Sequence, residues 1–264
     1  MPSPARVPLA TALAALAVFW AYAPVSAQRL AGQGVPSPAG TAARSLVLPG
    51  WGQRALGQRR SLAYAAAEAV AWGFWIERRG KGADLREAYR DLAWTAARLR
   101  IGSRADGPWP YYEALSKWTR SGAFDRDPSA PGVQPEEDPA TFNGSAWALA
   151  RQLHFRGGKP VPGDPTWEAA LTWYRTHAYG EAFLWDWTGR REELAEYQRL
   201  IHDSDDRFRQ ATAALGVVLA NHLLAGTDAF VSARLSGRAQ LRVGPAASAL
   251  GGQVSLTLRW APSR

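Results

Sequence analysis

Residues 211–231, ATAALGVVLANHLLAGTDAFV, form the longest apolar run of the chain after its N-terminal leader, and Asn221, His222 and Asp228 interrupt it. About 20 apolar residues suffice for a helix to cross a hydrocarbon core. Ionisable groups inside such a run are expensive, so each needs a partner. A fold for this chain must therefore shelter a long apolar helix and satisfy three polar groups within it.

Residues 1–27 read as a signal peptide. Arg6 supplies a thin positive region, 7–23 the apolar stretch, and Pro24 precedes Val25-Ser26-Ala27, a small-x-small cleavage site that leaves Gln28 first. An uncleaved signal anchor is the alternative. Either way the chain is expected in the cell envelope, exported and membrane-associated, with the choice of membrane open. The sequence has no cysteine, which excludes a lipobox anchor, disulfides and thiolate metal sites together. An apolar content of 47% is too low for a polytopic transporter and too high for a disordered chain. Thirteen Trp and a net charge of +8 suit a surface that meets lipid, since Trp favours membrane interfaces and cations favour anionic headgroups. No nucleic-acid-binding motif accompanies the charge, so nucleic acid is not an expected partner.

After a Gly/Pro/Ala-rich flexible spacer at 28–43, Leu48-Pro49-Gly50-Trp51-Gly52-Gln53 reads as a turn, because Pro49, Gly50 and Gly52 do not sit comfortably in one helix. The apolar run 62–76 follows, with Glu68 near its centre and arginines on both sides, short for a full span. Residues 84–100 have the i, i+3, i+4, i+7 apolar pattern of an amphipathic helix, with Leu99 on its seam. A loop-rich insert is expected over about 101–166, with short helices near 111–119 and 145–154. A Trp-rich helical stretch at 167–187 comes next. Nothing breaks the helix strongly between Arg191 and Leu235, and period-two alternation at 239–243 and 253–260 predicts a terminal β-hairpin.

This order of features resembles the uncharacterised bacterial envelope family DUF5683. The residues that carry the resemblance are Leu48-Pro49-Gly50-Trp51-Gly52-Gln53 with Gly57, then Asn221, Asp228-Ala229, Val231, Ala233 and Leu235. It covers about half the chain and departs from the family pattern after Gln53, where Arg54, Ala55 and Leu56 replace an aromatic and Asn. The resemblance implies membrane association and brings no catalytic residues.

On a helix, Asn221 and Asp228 share a face, and His222 lies about 100° round. They are expected to hydrogen-bond to the other apolar helix, with Glu68 or the Pro49–Gln53 turn as partner. A proton or ion conduit through Glu68, His222 and Asp228 is the functional alternative. His154, His177, His202 and His222 lack zinc spacing. Asp203, Asp205 and Asp206 lack the Gly and terminal Glu of a calcium loop. Trp185-Asp186-Trp187 with Glu192 and Glu193 admit a glycan cleft with paired carboxylates.

The resulting expectation is a mainly α protein, without cofactor or metal. An antiparallel pair of apolar membrane-associated helices (about 61–77 and 209–235) is covered by amphipathic helices within a domain spanning 44–236. A hairpin and tail occupy 237–264. Its expected role is that of a structural or interaction component rather than an enzyme, with membrane lipid and another envelope protein or a second copy as partners. A periplasmic Trp-lined glycan-binding protein or glycan-active enzyme is the alternative.

Overall fold

The computed structural model describes residues 37–99, 103–155, 157–246 and 253–260. The expected signal peptide and residues 28–36 of the expected spacer lie outside them. The fold is mainly helical. Helices α1 (Pro38–Val47) and α2 (Trp51–Ala55) flank the Pro-Gly turn and lead into α3 (Ser61–Leu92), which closes in a π-turn at Ala93–Ala97. Then come α4 (Trp109–Lys117), α5 (Phe142–His154), α6 (Pro165–His177), a 3-10 turn at Glu181–Phe183 and the long α7 (Arg191–Arg238). Strands β1 (Ala239–Ala246) and β2 (Gln253–Trp260) pair antiparallel, with Val243 opposite Leu256. Among the described residues one helix, Arg191–Ser236, is long and apolar enough to cross a membrane, and 33% of its most apolar stretch is buried.

Four expectations change. Residues 38–47 are helix rather than spacer: Ser37 caps the first turn by accepting from Gly40 N, and Pro38 sits where a missing N–H costs nothing. The separate helices expected at 62–76 and 84–100 are one helix up to Leu92, because Gly80 and Gly82 each cost only about 1 kcal/mol and do not interrupt it. Leu99 lies beyond its end and is exposed. The Trp-rich stretch stops being helical at His177. Finally, the expected single domain over 44–236 divides into two compact units, Met1–Gly80 with Phe208–Arg264, and Lys81–Arg207. The insert at 101–166 belongs to the second of these and holds α4 and α5.

The discontinuous unit is built on a seam of small residues. Ala211, Ala214, Val218, Asn221, Ala225 and Ser232 are buried along α7, and Ser61, Glu68 and Ala71 along α3. Their spacing by threes and fours is that of two helices meeting along one stripe. Across it, Asn221 donates to the Tyr64 carbonyl and to Glu68, and Asp228 pairs with Arg60.

The contiguous unit is built on aromatic rings. Tyr89, Tyr111, Tyr112, Trp185, Trp187 and Tyr197 form its larger core, with edge-to-face contacts such as Tyr89 to Tyr197 at 5.9 Å between centroids. Residues 184–187 are extended and hydrogen-bond on one side to 97–99 and on the other to 119–121. In extended chain, side chains two apart share a face, which sends both Trp185 and Trp187 inward. Their indole N–H groups donate to the Trp118 and Leu115 carbonyls. A second cluster joins α5 to α6 through Trp147, Leu171 and Tyr174.

Candidate functional site: the polar seam of the apolar helices

The turn after α1 has a local logic. Leu48 is extended (φ −139°, ψ 106°), as the residue before a proline prefers, and Pro49 cannot continue the helix. Gly50 has φ +89°, and a Cβ there would lie 2.5 Å from the Ser61 carbonyl oxygen. At Gly52 a Cβ would lie 2.3 Å from the Thr41 carbonyl oxygen and 2.9 Å from Ala229 Cβ. The two glycines are thus required for different reasons, one for backbone conformation and close approach, the other for close approach alone.

That proximity delivers Gln53, fully buried, into the seam. Its amide uses both ends. Ser45 Oγ donates to Oε1 at 2.8 Å while accepting from Gly52 N. Nε2 donates to the Ala225 carbonyl at 2.8 Å and to Asp228 Oδ2 at 2.9 Å. The other oxygen of Asp228 faces Arg60 Nη1 at 3.1 Å, and Arg60 also donates to Ser232 Oγ. One glutamine side chain therefore ties α1, α2 and α7 together.

Two turns away along α7 lies a second node around Glu68, whose carboxylate is buried. Asn221 Nδ2 donates to Oε2 at 2.9 Å and to the Tyr64 carbonyl at 3.0 Å. Trp72 Nε1 donates to Oε1 at 2.8 Å, and His222 Nε2 stands 3.1 Å from the same oxygen. His222 Nδ1 lies 2.6 Å from the Leu46 carbonyl. A carbonyl only accepts, so Nδ1 carries a proton and the imidazole closes the last turn of α1. One further proton, on Nε2 or on Glu68, completes the contact between ring and carboxyl.

The four polar residues of the apolar helices and the four of the turn motif thus lie in these two nodes or in the turn that serves them: Glu68, Asn221, His222 and Asp228, with Pro49, Gly50, Gly52 and Gln53. The sequence offered no sign of Ser45, Arg60 or Trp72 as members. Arg60 is the second of two adjacent arginines, and only the three-dimensional pairing separates it from Arg59. Chemically, each node neutralises a carboxylate with several donors in an apolar setting, the arrangement that makes a buried acid tolerable and fixes the register of two helices.

The carboxylates of the glycan reading have no such assembly. Trp185 and Trp187 are each 1% exposed and serve as core, so they line no cleft. Asp186 accepts from Thr188 N in a local turn. Burial pushes the Tyr112 and Tyr174 phenols of this unit up to about 12, and those of Tyr111 and Tyr197 higher still. Among the described residues no group of three or more His, Asp and Glu side chains is placed to hold a metal ion. No family model matches the chain, and no curated protein or solved structure matches it.

Proposed function

We propose that the protein is a membrane-seated structural or interaction component of the bacterial cell envelope, with α3 and α7 of the discontinuous unit as its apolar pair. The observation that carries this reading is the outer face of that pair. Val70 is 71% exposed, Leu219 62% and Leu224 63%, and Leu62, Phe74, Val217, Leu223 and Leu235 are exposed with them. A core helix of a water-soluble domain would bury such residues, because contiguous apolar patches beyond a few hundred Å² are rare on soluble proteins.

The spacing of charge supports the same reading. Residues 210–227 contain no Asp, Glu, Lys or Arg, and as helix they measure about 27 Å. Arg60 and Arg78 bracket the apolar part of α3 at the same separation of about 27 Å. Both lengths match a hydrocarbon core of roughly 30 Å. At the ends, three arginines fold back over an aromatic ring one turn nearer the centre: Arg78 over Phe74 at 4.6 Å, Arg79 over Trp75 at 5.6 Å and Arg234 over Phe230 at 5.1 Å. Aromatic rings with cations just outside them are the usual furniture of a membrane boundary. The polar nodes at Glu68 and Asp228 then serve as register pins, and the resemblance to DUF5683 points in the same direction.

The test is fractionation of the expressed full chain by carbonate and then detergent extraction, with N-terminal sequencing of the product. Retention through carbonate, release by detergent and Gln28 as first residue are expected. Release into the soluble periplasm overturns the reading.

A further inference from the structure

The charge of this protein is segregated. Met1–Gly80 and Phe208–Arg264 together carry 14 Lys+Arg and 3 Asp+Glu, a net +11, whereas Lys81–Arg207 carries 17 against 20, a net −3. The whole positive surplus of the chain therefore belongs to the unit with the exposed apolar faces. Its three acids are all engaged: Glu68 by Asn221, Trp72 and His222, Glu77 by Arg78 at 2.9 Å, and Asp228 by Arg60 and Gln53. The cations of the two helices are not spread along them. Arg59, Arg78, Arg79 and Arg234 all lie outside the apolar stretches of α3 and α7, beyond one end or the other.

We propose that these end collars bind the phosphate-bearing headgroups of anionic phospholipids, so that the unit selects anionic over zwitterionic lipid. The inference rests on the membrane reading above and adds the class of ligand. Stacking on Phe74, Trp75 and Phe230 fixes three of the guanidinium groups at the level where phosphates lie, and a guanidinium presents paired N–H donors to phosphate oxygens. Each cation near an anionic surface strengthens binding roughly fivefold at moderate salt, so three together amount to about a hundredfold.

The experiment uses the full chain in neutral detergent. Phosphatidylglycerol or phosphatidylcholine is titrated into the micelles while Trp fluorescence is followed, and vesicle flotation with each lipid is run in parallel. Phosphatidylglycerol is expected to bind about a hundredfold more tightly, with the preference falling steeply in high salt. The triple variant Arg59→Gln, Arg79→Gln, Arg234→Gln should lose most of the preference, and the matching Arg→Lys variant should keep most of it. Equal binding of both lipids, with flotation intact, overturns the headgroup proposal and leaves the membrane reading standing. Failure to float with either vesicle overturns the membrane reading itself. Abolition of the preference by millimolar inorganic phosphate assigns the collars to a free anion and overturns the lipid assignment, as does tight RNA binding combined with indifference to lipid.

Discussion

The two units of this protein reach stability by opposite means. The contiguous unit, 81–207, excludes water with large rings: the six Tyr and Trp of its larger core pack largely edge to face, and Trp185, Trp187 and Tyr197 satisfy their polar tips on backbone carbonyls, Tyr197 on that of Tyr112. The discontinuous unit brings helices close through Ala, Ser and Gly, and joins them by side-chain hydrogen bonds to Glu68 and Asp228. Rings suit an interior bounded by water, where burying apolar area is itself the driving force. Between helices surrounded by hydrocarbon that force vanishes, and close contact of small residues with a few polar pins does the joining instead. The contrast in core chemistry thus parallels the contrast in outer surface, apolar and cationic in one unit and slightly acidic in the other.

The comparison is broken most severely by Trp185→Ala. Loss of a fully buried indole should destabilise the aromatic unit by about 3–5 kcal/mol, read as a lower urea midpoint by near-UV circular dichroism. Vesicle flotation should be unchanged, and a loss of flotation would mean that the units do not have separate roles. Next in size is Glu68→Ala, which strands the Trp72 indole and takes one acceptor each from the Asn221 amide and His222. A cost of about 3 kcal/mol follows from unpaired buried donors, measured as a fall in thermal midpoint in detergent. Glu68→Gln, which retains an acceptor oxygen, should cost less.

Gly52→Ala pushes a methyl group into Thr41 and Ala229, an overpacking worth about 1–3 kcal/mol. At Gly57 a Cβ meets nothing within 4 Å, although its φ of +72° strains any side chain there. Gly57→Ala should therefore cost about 1 kcal/mol, from backbone strain alone. Equal thermal shifts for the two variants would argue against close packing at Gly52.

The smallest effect is with pH, and it sharpens the contrast by touching one unit. Burial pushes Tyr112 and Tyr174 up to about 12, from an ordinary value of 10.0. The folded state holds these protons more tightly than the unfolded state. Their contribution is therefore complete below pH 10 and is lost as pH rises towards 12. Tyrosinate absorbance should rise together with loss of near-UV ellipticity in that interval, while the thermal transition of the discontinuous unit moves less.

What could be read from the residues divides along the same line. In the discontinuous unit the polar interruptions of an apolar run are conspicuous because they are costly, so Asn221, His222, Asp228 and Glu68 stand out, as do the two glycines of the turn. Their pairing was open, since a helix face limits which groups can meet but not which do. In the aromatic unit the density of Trp suggested helix at 167–187, whereas Trp185-Asp186-Trp187 is extended and its period of two was the available sign. The continuity of α3 through Gly80 and Gly82 was equally hidden, because propensity penalises glycine without knowing the packing that overrides it.

The bonds of Gln53 and Glu68 span 153 to 175 residues of sequence. During synthesis, 81–207 emerges whole and is free to fold as soon as it is complete, whereas the first half of the other unit must wait for the last. Until 208–238 arrives, Glu68 lacks Asn221 and His222, the Gln53 amide nitrogen lacks its acceptors, the Leu46 carbonyl lacks His222, and an apolar helix stands without its mate. The order of assembly is therefore written into the connectivity: inner segment first, outer segments last. A truncation between Arg207 and Asp228 should leave a well-folded aromatic unit carried on an N-terminal segment that cannot close.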